Sequence, residues 1–184
     1  LSIRSDLNGL KIIHGDILLQ EIEDLPINNP VRIIGNIPYN ITSPIIFWLI
    51  EQLDYWDDAF IMMQKEVAQR LTAQVGTKEY SRISVVVGAY LNMEMCFKIS
   101  PEVFIPKPKV ESAIIRFTKK DSPVVADNKY VKFNKIVKAA FSKRRKMLRN
   151  SLNDFDIPIS IQEEIDFTRR PETLSIEEFA KLLH

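Results

Sequence analysis

The chain has 184 residues, 46% of them hydrophobic, a composition that excludes a disordered polypeptide and leaves room for one full core with a small satellite. Its longest apolar run, Ile41 to Ile50, is broken by Thr42, Ser43 and Pro44 and falls short of the roughly 20 residues of a membrane span, so no membrane partner is expected. One cysteine and two histidines exclude an internal disulfide and supply no ligand set for a metal, and Cys96 reads as a core residue. Net charge is +1, but it is unevenly placed: residues 1–128 hold 13 basic and 16 acidic residues, and residues 129–184 hold 12 and 8.

In chain order, Lys11–Leu18 (KIIHGDIL) reads as a short buried strand ending in Gly15-Asp16, and Val31–Ile37 as a second one stopped by Pro38. Thr42 or Ser43 caps a helix with Pro44 in its first turn and Ile45, Ile46, Leu49, Ile50 and Leu53 on one stripe. A third strand is expected over Asp58–Gln64, then a helix over Lys65–Ala73 with Val67 and Leu71 inward. Further on come a helix over Ser81–Tyr90 and a strand over Glu94–Ile99. Pro101, Pro106 and Pro108 stiffen Pro101–Lys109 into a non-helical loop, and Glu111–Thr118 resumes as a strand.

Asp121–Asn128 is polar, contains Pro123 and reads as a linker. Helices follow over Tyr130–Arg149, Ile159–Asp166 and Ser175–Leu183, the last with a capping box of Ser175 and Glu178. The expected organisation is therefore an α/β unit over residues 1–120 and an α-helical unit over residues 121–184. Residues 129–149 carry nine Lys or Arg and no acid, a clustering that suits a polyanion. Lys143-Arg144-Arg145-Lys146 is its densest part. A solvated helix face is the plainer account of such charges; the absence of acids favours the polyanion, since like charges repel unless one is present.

Asn36-Ile37-Pro38-Tyr39 stands at the carboxyl end of an expected buried strand, where open α/β sheets place their ligands. The Asn36 side-chain oxygen and the Ile37 carbonyl, beside a proline that fixes chain direction, offer two acceptors for the exocyclic amine of a base. Tyr39 can stack on the face of that base. Taken alone, Asn36 and Tyr39 also read as turn residues, Phe104 as core and Asp16 as a surface turn acid.

Five ordered blocks decide between these readings: GNIPYNITSPIIF, MMQKEVAQRL, FIPKPKVES, AFSKRRKMLRNSL and RRPETLSIEEFAKL. Together they resemble the 16S ribosomal RNA adenine dimethyltransferase family. The resemblance implies an incomplete Rossmann-like, S-adenosyl-L-methionine-dependent methyltransferase sheet followed by a small helical RNA-binding domain. It implies a cytoplasmic enzyme that dimethylates two adjacent adenosines of rRNA in the immature small ribosomal subunit. Asn36, Ile37, Pro38 and Tyr39 would hold the target base, with Phe104 as the second aromatic wall, and Asp16 and Asn36 would border the methyl donor. Lys107, Lys143, Arg144, Arg145, Lys146 and Arg149 would meet RNA. Pro106-Lys107-Pro108 stands where the family often has consecutive prolines.

The family sheet has seven strands in the order 3-2-1-4-5-7-6, with a glycine-rich turn after the first. No G-x-G pair occurs here and the sequence starts with Leu1. The expectation is that it begins just before the third strand, that its Leu1–Gln20 segment is misplaced, poorly packed or paired in a non-native way, and that the fragment binds the donor weakly and has no useful turnover. The competing readings are a 23S rRNA adenine methyltransferase of the macrolide-resistance type, a mitochondrial transcription-factor relative, and a non-catalytic RNA-binding module of ribosome assembly.

Overall fold

The computed structural model describes residues 10–143 and 146–183. Its centre is one four-stranded sheet: β1 (Val31–Asn36), β2 (Trp56–Gln64), β3 (Leu91–Ile99) and β4 (Ser112–Lys119), in spatial order β1-β2-β4-β3. β1 and β2 are parallel; β4 runs antiparallel to both β2 and β3. That order reproduces the 4-5-7-6 part of the sheet implied by the sequence resemblance. Parallel neighbours need a crossover, and α1 (Thr42–Glu51) supplies it between β1 and β2. α2 (Lys65–Leu71) and α3 (Arg82–Gly88) then lead to β3.

Alternation along the strands decides what is buried. Ala59, Ile61 and Met63 of β2 and Ala113, Ile115 and Phe117 of β4 are all at most 1% exposed, and they join Ile46, Leu49, Ala68, Leu71, Val85 and Val86 from the three helices in one apolar cluster. The indoles add direction as well as volume, since Trp56 Nε1 donates to the Leu49 carbonyl at 2.9 Å and Trp48 Nε1 to that of Gln20 at 2.8 Å. The last helices, α4 (Tyr130–Ala140), α5 (Leu148–Ser151), α6 (Ile159–Glu164) and α7 (Ile176–Lys181), add Phe133, Val137, Leu148 and Phe179 to that same cluster. α7 starts with the expected capping box: the Glu178 amide donates to Ser175 Oγ at 3.1 Å and the Ser175 amide to Glu178 Oε2 at 2.8 Å.

The opposite face of the sheet is more polar. Asp58 of β2 accepts from Arg32 of β1 at 2.7 and 3.0 Å, and Arg116 of β4 approaches it at 3.5 Å. Both guanidiniums also lie over the Phe60 ring, 5.5 and 5.8 Å from its centroid. The hydrogen bond from Arg32 holds the Asp58 carboxyl below its ordinary range, reinforced by the charges of Arg32 and Arg116. A depressed pKa means that this stabilisation is present above about pH 4 and is lost as the pH falls through the folded value. Chemical denaturation of Asp58→Asn against the unsubstituted protein should therefore show a stability gap at pH 7 that closes below about pH 4; a gap independent of pH would contradict the ion-pair account.

Three expectations are corrected. Lys11–Leu18 is not a strand: residues 10–16 lie outside the sheet, Ile12 and Ile13 are exposed, and the segment ends in a 3-10 turn, Ile17–Leu19. A buried strand needs ladder partners, and none of the described residues pairs with the outer edge of β1. The helix expected over Tyr130–Arg149 stops at Ala140. Beyond it the chain turns so that the Leu148 and Arg149 amides donate to the carbonyls of Arg169 and Phe167 at 3.0 and 3.1 Å, which buries Leu148 fully. A clustered basic run also disfavours helix continuation. Cys96 is exposed rather than in the core, because alternation along the edge strand β3 puts it on the outward face with Asn92 and Glu94, opposite Leu91, Met93 and Met95.

Candidate active site

The register brings three chain segments to one edge of the sheet. Asn36 ends β1 opposite Met62, Gln64 ends β2 opposite Ser112, and Ser112 is also opposite Ile99 at the end of β3. The Asn36–Tyr39 motif, the β2–α2 junction and the Ser100–Glu111 loop therefore leave the sheet at the same edge.

Asn36 is exposed, and its amide has no partner among the described residues. Pro38 is extended (φ −58°, ψ 134°) and leads into a 3-10 turn, Tyr39–Ile41, continuous with α1. Tyr39 is fixed at both ends. Thr42 Oγ1 donates to its carbonyl at 3.0 Å, and its phenol shares a 2.6 Å hydrogen bond with Ser112 Oγ. Thr42 thus begins the helix and clamps Tyr39, three residues before it, while Ile37 and Tyr39 are half-buried and Pro38 exposed.

Phe104 is half-buried at the end of a 3-10 turn, Pro101–Val103, its amide donating to the Pro101 carbonyl at 3.2 Å. The loop expected to be wholly non-helical thus holds one short turn, capped by Ser100 Oγ through the Glu102 amide at 3.3 Å. Lys107, expected to face phosphate, is engaged by Glu102. The far end of the loop is tied to α2: the Lys65 amide donates to the Glu111 carbonyl at 2.9 Å, and the Lys65 ammonium pairs with the Glu111 carboxylate, holding its pKa below the ordinary range. Glu66, in the first turn of α2, pairs with Arg70 one turn on.

Asp16 is exposed and caps its own turn, Oδ1 accepting from the Leu18 amide at 3.0 Å; it is hydrogen-bonded to none of the motif residues. The following segment is anchored on α1, the Ile22 amide donating to Gln52 Oε1 at 2.8 Å. Of the basic run, Lys143, Lys146 and Arg149 are exposed with no side-chain partner among the described residues, whereas Arg144 and Arg145 lie outside the described residues. A cavity of about 630 Å³ between α2 and the helical segment is lined by Arg70, Arg82, Phe141, Lys143 and Glu172, so Lys143 stands at its rim. Among the described residues no group of His, Cys, Asp and Glu could hold a metal, and no helix is long and apolar enough to cross a membrane. Ser112 was not singled out from the sequence, although it closes the FIPKPKVES block; its role shows only once β4 is placed beside β2.

A mixed sheet in this order, with an Asn-Ile-Pro-Tyr turn at the carboxyl end of a parallel strand, defines an α/β protein with a Rossmann-like methyltransferase fold. Comparison with known proteins agrees. The family described as ribosomal RNA adenine dimethylase matches residues 4–182, and the chain belongs to that family.

The ribosomal RNA small subunit methyltransferase A of Saccharophagus degradans is 44% identical over 155 residues, covering 83% of this chain and 58% of that protein. Its namesake from Xylella fastidiosa is 41% identical over 181 residues, covering 96% and 68%. The chain thus spans between about half and two thirds of the length of these relatives. Among solved structures, a dimethyladenosine transferase from Plasmodium falciparum superposes with a TM-score of 0.79 at 26% identity, over 95% of this chain and 71% of that one. The 23S rRNA methyltransferase ErmE shares the fold, with a TM-score of 0.68 at 24% identity over 99% and 75%.

Proposed function

We propose that the protein acts in S-adenosyl-L-methionine-dependent N6,N6-dimethylation of two adjacent adenosines near the 3′ end of small-subunit (16S) rRNA, in the cytoplasm and during ribosome biogenesis. The observation that carries this reading is the Asn36–Tyr39 turn: an exposed amide and a clamped aromatic ring at the carboxyl end of β1. The names of the relatives favour the small subunit over the large.

In this reading residues 1–120 supply the catalytic surface and residues 121–184 the RNA-binding helices. The target adenine leaves its stack at a cost on the order of a few kcal/mol. It lies against Tyr39 and Phe104, where stacking contributes about 1 to 3 kcal/mol per base. The Asn36 oxygen and the Ile37 carbonyl accept the two N–H bonds of its amine, with Pro38 holding the chain direction, so the nitrogen lone pair is drawn out of conjugation toward the methyl group. The amine proton then leaves to water.

S-adenosyl-L-methionine, when bound, supplies a methyl group on a sulfonium. Asn36 and Asp16 suit it: among the described residues the Asn36 amide is unpartnered, and Asp16 keeps Oδ2 free while Oδ1 caps its turn. No metal is needed for a displacement with so good a leaving group; orientation supplies the acceleration.

The test is methyl incorporation by the full-length gene product into rRNA of immature small subunits and, in parallel, of large subunits. Transfer confined to the small-subunit rRNA supports the reading; transfer to neither leaves the RNA-binding module as the better account. The basic run makes a separate prediction. Replacing Lys143, Lys146 and Arg149 together by alanine should lower RNA affinity and reduce the slope of log K against log salt by about 2 to 3, measured by filter binding between 50 and 200 mM salt. An unchanged slope would show that these side chains meet no phosphate.

A further inference from the structure

We infer that Ser112 is a positioning residue, setting the placement of the Tyr39 ring and joining it to the loop that carries Phe104. This rests on the base-stacking role proposed for those two aromatics. Ser112 is fully buried, and its hydroxyl is engaged with the Tyr39 phenol at 2.6 Å. The bond spans the sheet edge: Tyr39 follows β1 and Ser112 opens β4, with β2 between them. Tyr39 therefore reaches across the end of a strand to be held at its tip.

The anchor at the other end is itself rigid. Ser112 sits in register with Gln64 on one side and Ile99 on the other, and the preceding Glu111 carbonyl is bonded to the Lys65 amide. Ser112 is also the first residue of β4, directly after the loop bearing Phe104. One hydroxyl thus couples the two proposed walls of the base pocket. An aromatic ring used as a stacking platform works only at a fixed tilt and separation from its partner. A misplacement of about 1 Å at a reacting centre can cost on the order of 10²-fold in rate. Removing this tether frees the ring at the tip while Thr42 still holds its backbone.

The experiment compares Ser112→Ala, Tyr39→Phe, the double variant and Ser112→Thr in the full-length gene product, with steady-state methyl transfer to small-subunit rRNA and thermal unfolding measured for each. Ser112→Ala and Tyr39→Phe should each lower kcat roughly tenfold, leave KM for S-adenosyl-L-methionine unchanged, and in combination do no worse than either alone. Ser112→Thr, which keeps the hydroxyl, should restore most of the rate. Tyr39→Phe removes the same bond without touching the buried serine, so it decides the matter if Ser112→Ala does not fold. Losses that multiply in the double variant, or either single variant turning over at the unsubstituted rate, would overturn the assignment. An unsubstituted protein that transfers no methyl group to rRNA would overturn the stacking reading, and the assignment with it; that control separates the two failures.

Discussion

Asn36→Ala in the full-length gene product is expected to slow methyl transfer to rRNA by about 10² to 10³-fold, with RNA affinity and thermal stability unchanged. The size follows from what the residue offers. Its amide is exposed and has no partner among the described residues, so its loss removes none of the described contacts that hold the fold together. In the proposed complex it removes one of two acceptors that draw the adenine amine out of conjugation. That interaction strengthens as charge develops on the nitrogen, so the loss falls on kcat rather than on ground-state binding. Single-turnover transfer of labelled methyl groups, beside filter binding of the same RNA, separates the two quantities. Equal loss of binding and rate would show that Asn36 serves RNA recognition instead.

The largest effect on stability is expected at Phe133. This ring on α4 is completely buried in the apolar cluster shared by the sheet, α1–α3 and the last helices. Phe133→Ala should cost about 3 to 5 kcal/mol, read as a lower midpoint in urea with the slope retained. Ile34→Ala is the contrast. Ile34 is just as apolar but 80% exposed on β1, and its truncation should stay within about 0.5 kcal/mol. If Phe133→Ala cost less than about 1 kcal/mol, the last helices would contribute little to the common core.

The sequence is most legible where a local pattern and a tertiary environment agree. β1 and β4 are visible as short β-branched runs, β2 as a short apolar run, and α1 as an apolar stripe behind a proline; each lies within a few residues of its expected bounds. The Asn36–Tyr39 turn was visible because Pro38 stops a strand at the edge where ligands bind. Lys11–Leu18 has the same local pattern but no neighbour among the described residues to complete its ladder, and ladder partners cannot be seen in a window of eight residues.

α4 ends early for a related reason. The amides of Leu148 and Arg149, expected within that helix, donate instead to the carbonyls of Arg169 and Phe167, some twenty residues further along the chain. Cys96 turns outward because β3 starts at Leu91, which puts position 96 on the exposed face with Asn92 and Glu94, a phase that the hydropathy of one residue does not encode. Ser112 was legible as a letter in a motif but not as the partner of Tyr39, 73 residues away, since only the strand order brings the two together.

The most direct test of the central claim is nucleoside analysis by mass spectrometry of small-subunit rRNA incubated with the full-length gene product and S-adenosyl-L-methionine. N6,N6-dimethyladenosine at two adjacent positions near the 3′ end, absent when Asn36 is replaced by alanine, is the predicted result. Unmodified adenosines with intact RNA binding would contradict it and make the protein an RNA-binding module that keeps the fold without the chemistry.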